Sequence, residues 1–222
     1  MINLLQTASL KKESTYTSVV VGIIAINHLI GVAGLNLPAS SAIFQSVSWV
    51  NLLLSLILVT AFHKPVNLKF AAFCSIAFLV GMGAEITGVN TGKPFGIYYY
   101  TPLFGWQIAG VPIIIGLNWV LLGYVCALTV GLLIQPGWKS ILAASFLMVV
   151  VDVMLEPFAI RHTFWVWQNV WPGLENYGAW FVVALPIQMA YNLLIKKTDN
   201  MVGVAYLLIL MLFLVADWLL GL

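Results

Sequence analysis

Apolar residues in this chain come in seven long, nearly unbroken runs, neither in strict alternation nor in narrow stripes. The runs are Thr17–Leu37, Phe44–Phe62, Phe70–Asn90, Val111–Ile134, Ser140–Phe158, Gly178–Ile195 and Met201–Leu220. A helix needs about 20 apolar residues, at 1.5 Å rise each, to cross a hydrocarbon core of ~30 Å. Continuous runs of this length predict membrane-spanning helices; the strands of a barrel would alternate. The expected architecture is therefore all-α: a polytopic integral membrane protein with about seven transmembrane helices in one domain over residues 1–222. The first run follows Lys11 and Lys12 and ends near small residues at 39–41, as a cleavable leader would. Its core is longer than the roughly 7–15-residue apolar stretch of such leaders, so it reads as a retained anchor.

Composition sharpens this picture. Of 222 residues, 62% are hydrophobic and 7% charged, against about 45–50% and about 25% in soluble domains. That excludes a soluble enzyme, a disordered tail, a disulfide scaffold and a nucleic-acid binder; a net charge of +2 points to no polyanionic partner. Cys74 and Cys126 lie inside apolar runs and read as small hydrophobes. The nine cations divide unequally across the runs. Lys11, Lys12, Lys64, Lys69, Lys139, Lys196 and Lys197 fall on the N-terminal side, and Lys93 and Arg161 on the other. The positive-inside rule then places the N-terminus in the cytoplasm of a multi-pass cell-membrane protein. The two longest connections, 92–110 and 159–177, lie on the outer side and are crowded with aromatics.

The candidate chemistry lies in polar residues that interrupt the apolar runs. An ionisable side chain inside a span costs about 2.5–3.5 kcal/mol and is a functional hypothesis by default. Glu85 stands in the third run and Asp152 and Glu156 in the fifth, with Asn118 in the fourth and Asn27 and His28 in the first. Counted from the outer helix ends, Glu85, Asp152, Asn118 and His28 fall roughly 8–14 Å deep, in one layer of the outer half. Asp152 and Glu156, four residues apart, share a helix face. Pro157 cannot donate to the Val153 carbonyl and predicts a kink or an end there, leaving Glu156 the wetter of the two. Only Lys93 and Arg161 are near enough to pair with three carboxyls, so at least one carboxyl is left without a cation. A buried carboxyl in that position holds its proton, as a general acid must. Structural readings stand beside these: Asn27 and Asn118 as interhelical glue, His28 as a satisfied core histidine, the aromatic loops as interfacial belts, and Asp217 as a residue simply near the interface. His28, His63 and His162 are scattered, so no histidine-rich oxygenase site or metal site is expected. No nucleotide, redox or serine-hydrolase motif occurs, and the last run has no lysine for a retinal Schiff base.

Glu85-Ile-Thr-Gly-Val-Asn-Thr-Gly-Lys-Pro-Phe-Gly-Ile-Tyr-Tyr-Tyr100, Asp152-Val-Met-Leu-Glu-Pro157, Trp165-Val-Trp167, Asn176-Tyr177 and Trp180 together resemble the membrane carotenoid hydratase family of the CruF (bisanhydrobacterioruberin hydratase) type. The resemblance covers residues 81–191; the first two runs and the last carry none of its motifs. It implies a cofactor-independent enzyme that adds water to the acyclic C1–C2 double bond of a carotenoid, with carotenoid, water and the lipid bilayer as partners. It further implies Asp152 or Glu85 as proton donor and Glu156 as the group that orients or deprotonates water. Tyr98, Tyr100, Trp165 and Trp167 would stabilise the cation or line the polyene, Lys93 would tune Glu85 or anchor its loop, and Thr87, Asn90 and Thr91 would complete a polar network. The residues are compatible with this independently: an alkene needs a positioned acid in a dry site, and a tertiary cation is stabilised by π faces and carboxylates. Two alternatives use the same acids. A lycopene-type cyclase starts from the same protonation and quenches the cation within the substrate, and a proton-coupled lipid or small-molecule transporter would use the acids as relays.

Overall fold

A computed structural model describes residues 4–195 and 198–221, with side chains from residue 14 onward. Lys196 and Lys197 lie outside the described residues, as do the side chains of Lys11 and Lys12. Seven helices run α1 (Leu4–Asn36), α2 (Ser41–Ala61), α3 (Leu68–Thr91), α4 (Ile113–Gly131), α5 (Trp138–Arg161), α6 (Leu174–Leu194) and α7 (Met201–Leu220). All seven are long and apolar enough to cross a membrane. The protein is an all-α, multi-pass membrane protein.

Between α3 and α4 lie strand β1 (Tyr98–Tyr100), a 3₁₀ turn at Pro102–Phe104, and strands β2 (Gln107–Ile108) and β3 (Val111–Pro112). Strand β4 (Trp165–Trp167) lies between α5 and α6. β2 and β3 form a tight hairpin over Ala109 and Gly110, both at positive φ, the geometry of a two-residue type I′ loop. β1 pairs with β4 instead, tying the two long connections together.

α4 is apolar all round and is the central helix, packed against α2, α3, α5, α6 and α7, whereas α1 docks on α2 and α7 at the side. Close approach at the centre depends on small residues. A Cβ on Gly81 would come within 2.2 Å of Trp119 Cγ, and one on Gly116 within 2.6 Å of Phe78, so α3 and α4 each receive an aromatic of the other. Asn67 and Asn200 cap α3 and α7 by accepting from Phe70 N and Gly203 N, and Gly92, at φ 72°, ends α3. Cys74 and Cys126 are free thiols, the second buried.

Three boundaries differ from the expected ones. α1 begins well before Thr17, and α6 begins at Leu174 rather than Gly178. Pro157 neither ends nor splits α5, which continues one turn further to Arg161. The proline leaves only the Val153 carbonyl without its helical donor, and the carbonyls left free at the helix end beyond it are satisfied by loop backbone: His162 N donates to Phe158 O and Phe164 N to Ala159 O.

Candidate active site

The register of the β1–β4 ribbon builds the site. Tyr98 stands opposite Trp167, Tyr99 opposite Val166 and Tyr100 opposite Trp165. Side chains alternate along a strand, so Tyr98, Tyr100, Trp165 and Trp167 share one face, while Tyr99 is exposed on the other. The shared face is an aromatic sheet, with ring centroids 4.7 Å apart for Tyr98–Trp167 and 5.8 Å for Tyr100–Trp165.

Each of these four rings delivers its polar hydrogen to a carboxyl below. Tyr98 and Tyr100 hydroxyls donate to Glu85 Oε2 at 2.5 and 2.8 Å. Trp165 and Trp167 Nε1 donate to Glu156 Oε2 at 3.0 and 2.8 Å. From α4, Trp119 Nε1 donates to Glu85 Oε1 at 3.0 Å, its ring stacked on Trp180 of α6 at 4.0 Å. Asn176, at the start of α6, donates to Asp152 Oδ2 at 3.0 Å. Burial, with the Glu85 carboxyl beside them, holds both tyrosine hydroxyls protonated, well above the usual phenol range, so they act as donors here. Among the described residues no ion pair reaches Glu85, Asp152 or Glu156. Nor do three or more His, Cys, Asp or Glu side chains converge as a metal site would require. The three carboxyls thus form a buried cluster held by neutral donors. They differ in saturation: Glu85 takes three donors across both oxygens, Glu156 two on one oxygen, and Asp152 one.

Two cavities lie side by side here. One, of about 30 Å³, is bounded by the three carboxyls, the four ribbon aromatics, Asn118 and Trp119. Its size admits a water molecule or two. The other, of about 260 Å³, is mostly apolar and lies between α1, α2 and α7. Ile115, Asn118, Leu155 and Trp165 are walls of both. The Asn118 amide makes no hydrogen bond to another described residue, so a polar group within a span faces the shared walls unpaired by protein.

The residues singled out from sequence fall into three groups. Glu85, Asp152, Glu156, Tyr98, Tyr100, Trp165, Trp167 and Asn118 come together around the small cavity. His28 lines only the larger one, its Nδ1 at 2.8 Å from Ile24 O and its ring edge-on to Tyr206 and Phe213. Thr87, Asn90 and Lys93 line neither. They are exposed on the opposite side of α3 and its loop, where Thr87 donates to Gly83 O and Asn90 to Ile86 O and Ala109 O. The exposed Lys93 meets Thr91 through backbone groups alone, so it does not tune Glu85.

Glu156 is the more exposed of its pair, as expected, but only by 3% against 1% for Asp152, because two indoles cover it. One further reading is corrected. Asp217 is not an idle interfacial residue. It is buried, accepts from Asn36 Nδ2 at 2.8 Å, lies 2.8 Å from His162 Nε2, and pairs with Arg161 at 3.5 Å. Arg161 is thereby committed to α7 and the end of α1, away from the three acids.

Sequence reading did not place Trp119, Asn176 or Trp180 in a site. Trp119 sits inside a long apolar run, where an indole reads as core. Asn176 and Trp180, four residues apart, carried a signal, since one turn of helix sets them on one face of α6.

The fold and this geometry define a polytopic membrane protein with a buried, aromatic-capped acid cluster beside an apolar cavity. Residues 46–221 match the family described as carotenoid biosynthesis protein, and the chain belongs to that family. Its role lies in carotenoid biosynthesis. No curated protein and no solved structure matches the chain.

Proposed function

We propose that this protein hydrates the terminal C1–C2 double bond of an acyclic carotenoid end. The observation that carries the reading is the junction itself: an acid cluster with room for water shares walls with an apolar cavity that can receive a hydrocarbon end.

Asp152 is the proton donor in this scheme. With a single donor on Oδ2, it has an oxygen available to present a proton, whereas Glu85 has both oxygens engaged. Its proton goes to C2, and the π electrons that form the new C–H bond leave a tertiary cation at C1. The faces of Trp165 and Tyr100 and the negative ends of the carboxyl cluster stabilise that cation. Water held at Asn118 supplies an oxygen lone pair to C1. The excess proton leaves the oxonium for Glu156, one turn from Asp152, and returns to Asp152 through water. The sum is one water added and the acid regenerated.

The test is to express the chain in cells that make lycopene and to analyse the pigments, then to repeat with deuterated and heavy-oxygen water. The expected product is a more polar tertiary alcohol with one carbon-bound deuterium and one heavy oxygen per hydrated end. A ring-containing hydrocarbon would replace this reading with the cyclase, oxygen arriving from dioxygen would replace it with a hydroxylase, and unchanged pigment would return the acids to a relay role.

A further inference from the structure

We infer that the cavity between α1, α2 and α7 is the binding site for one end of the polyene, entered sideways from the bilayer past α2, with most of the substrate left outside in lipid. This rests on the hydration reading for the identity of the ligand, and on separate observations for the site. α1 and α7 carry none of the three clustered carboxyls Glu85, Asp152 and Glu156, and α1 lies outside the matched residues 46–221, so the chemistry described above leaves these helices without a role.

Three observations converge. First, the cavity adjoins the acid compartment and shares Ile115, Asn118, Leu155 and Trp165 with it as walls. A chain end lying in it lies next to the compartment of the carboxyls. Second, its mouth is on the outer surface of the bundle. Val47, Val50 and Leu54 of α2 line it and are also 44%, 43% and 38% exposed. A ligand that arrives there comes from surroundings as apolar as itself. Third, its size is finite. An apolar cavity of about 150 Å³ takes one benzene. By that measure about 260 Å³ takes on the order of ten carbons, or about two isoprene units. A carotenoid is several times longer, so the remainder lies beyond the mouth, against the exposed face of α2. The site therefore reads the near end of the substrate and not the far one. A molecule with two acyclic ends is processed one end at a time, with release between.

The experiment uses the full-length protein in detergent with lycopene as the probe. The Asp152→Asn variant binds without turnover, and an achiral polyene held in a chiral cavity acquires circular dichroism in its visible band. Gly31→Phe fills the cavity from α1, because a Cβ there already lies 3.5 Å from Phe213 Cε2 and a ring must project inward. Val47→Trp narrows the mouth at an exposed position, where the larger side chain does not overpack the core. Leu208→Phe, on a 56% exposed part of α7 away from the cavity, is the control.

The expected result is loss of the dichroic band, and at least roughly tenfold lower turnover in the Asp152 background, for both cavity variants and not for the control. Turnover per acyclic end should be equal, within about twofold, for lycopene and for a carotenoid with a ring at its far end. The singly hydrated product should accumulate before the doubly hydrated one. Retained band and turnover in both cavity variants overturn the site while leaving hydration standing. A band that both variants abolish, in a protein that leaves pigments unhydrated, keeps the site and overturns hydration. Strong dependence on the far end, or no free singly hydrated product, overturns the one-end reading.

Discussion

Replacing Glu85 by Gln exchanges one acceptor oxygen for a donor in a place that supplies only donors. Oε2 receives two phenols, so the amide oxygen is expected to take that position and keep both. The amide nitrogen then stands where Oε1 stood, with the Trp119 indole N–H 3.0 Å away. Two buried donors face each other, and neither has an acceptor. An unsatisfied buried donor costs about 1–3 kcal/mol, so the loss is about 2–6 kcal/mol once both are counted. For a chain of this size that corresponds to a melting point lower by on the order of 4–24 °C. Glu156→Gln is the matched comparison. Both indoles donate to the same oxygen, Oε2, so the amide oxygen can occupy that position and its nitrogen can face the water-sized cavity. Its cost is expected to stay under about 1 kcal/mol. Thermal unfolding in one detergent, followed by tryptophan emission, measures both. A Glu85→Gln protein that melts with the wild type, or a Glu156→Gln protein that falls as far, would refute the assignment of donors and acceptors.

Asp152→Asn can retain the Asn176 hydrogen bond through its own carbonyl, so it should melt near wild type while losing about 10²–10⁴-fold in hydration rate, read from pigment conversion; wild-type turnover would remove Asp152 from the acid role. Asp217→Asn weakens the contacts to His162 and Arg161 that tie α5 to α7; it should lower stability by about 1–3 kcal/mol in the same melting assay, and an unchanged melt would show the clamp to be idle. Gly81→Ala drives a methyl into Trp119; a loss of about 1–3 kcal/mol and altered indole emission are expected, and a silent substitution would contradict the close packing of α3 on α4. With Cys74 and Cys126 removed, single cysteines at Val66 and Asn169 should label from opposite membrane faces, and labelling from one face would overturn the topology.

The number and kind of helices were legible because a bilayer imposes one length and one composition on every span, and seven runs satisfy both. The acids were legible for the same reason: Glu85, Asp152 and Glu156 stand out against lipid-compatible neighbours, and their common depth follows from counting residues along helices. Even the ribbon left a trace, since Tyr98 and Tyr100, like Trp165 and Trp167, have the spacing that puts side chains on one face of a strand.

The partners of those acids were not legible. Thr87, Asn90 and Lys93 are close to Glu85 in sequence, yet the rotation of α3 turns them outward, and Glu85 is held by Trp119 and two tyrosines instead. Arg161 is near Glu156 in sequence and is claimed by Asp217, 56 residues further along. Burial of the acids follows from composition and period, which each segment carries in its own residues. The donor that meets each acid depends on the pairing of β1 with β4, the rotation of each helix and the packing of Trp119 into the space at Gly81. Those are relations between segments distant in the chain, and only the tertiary structure decides them.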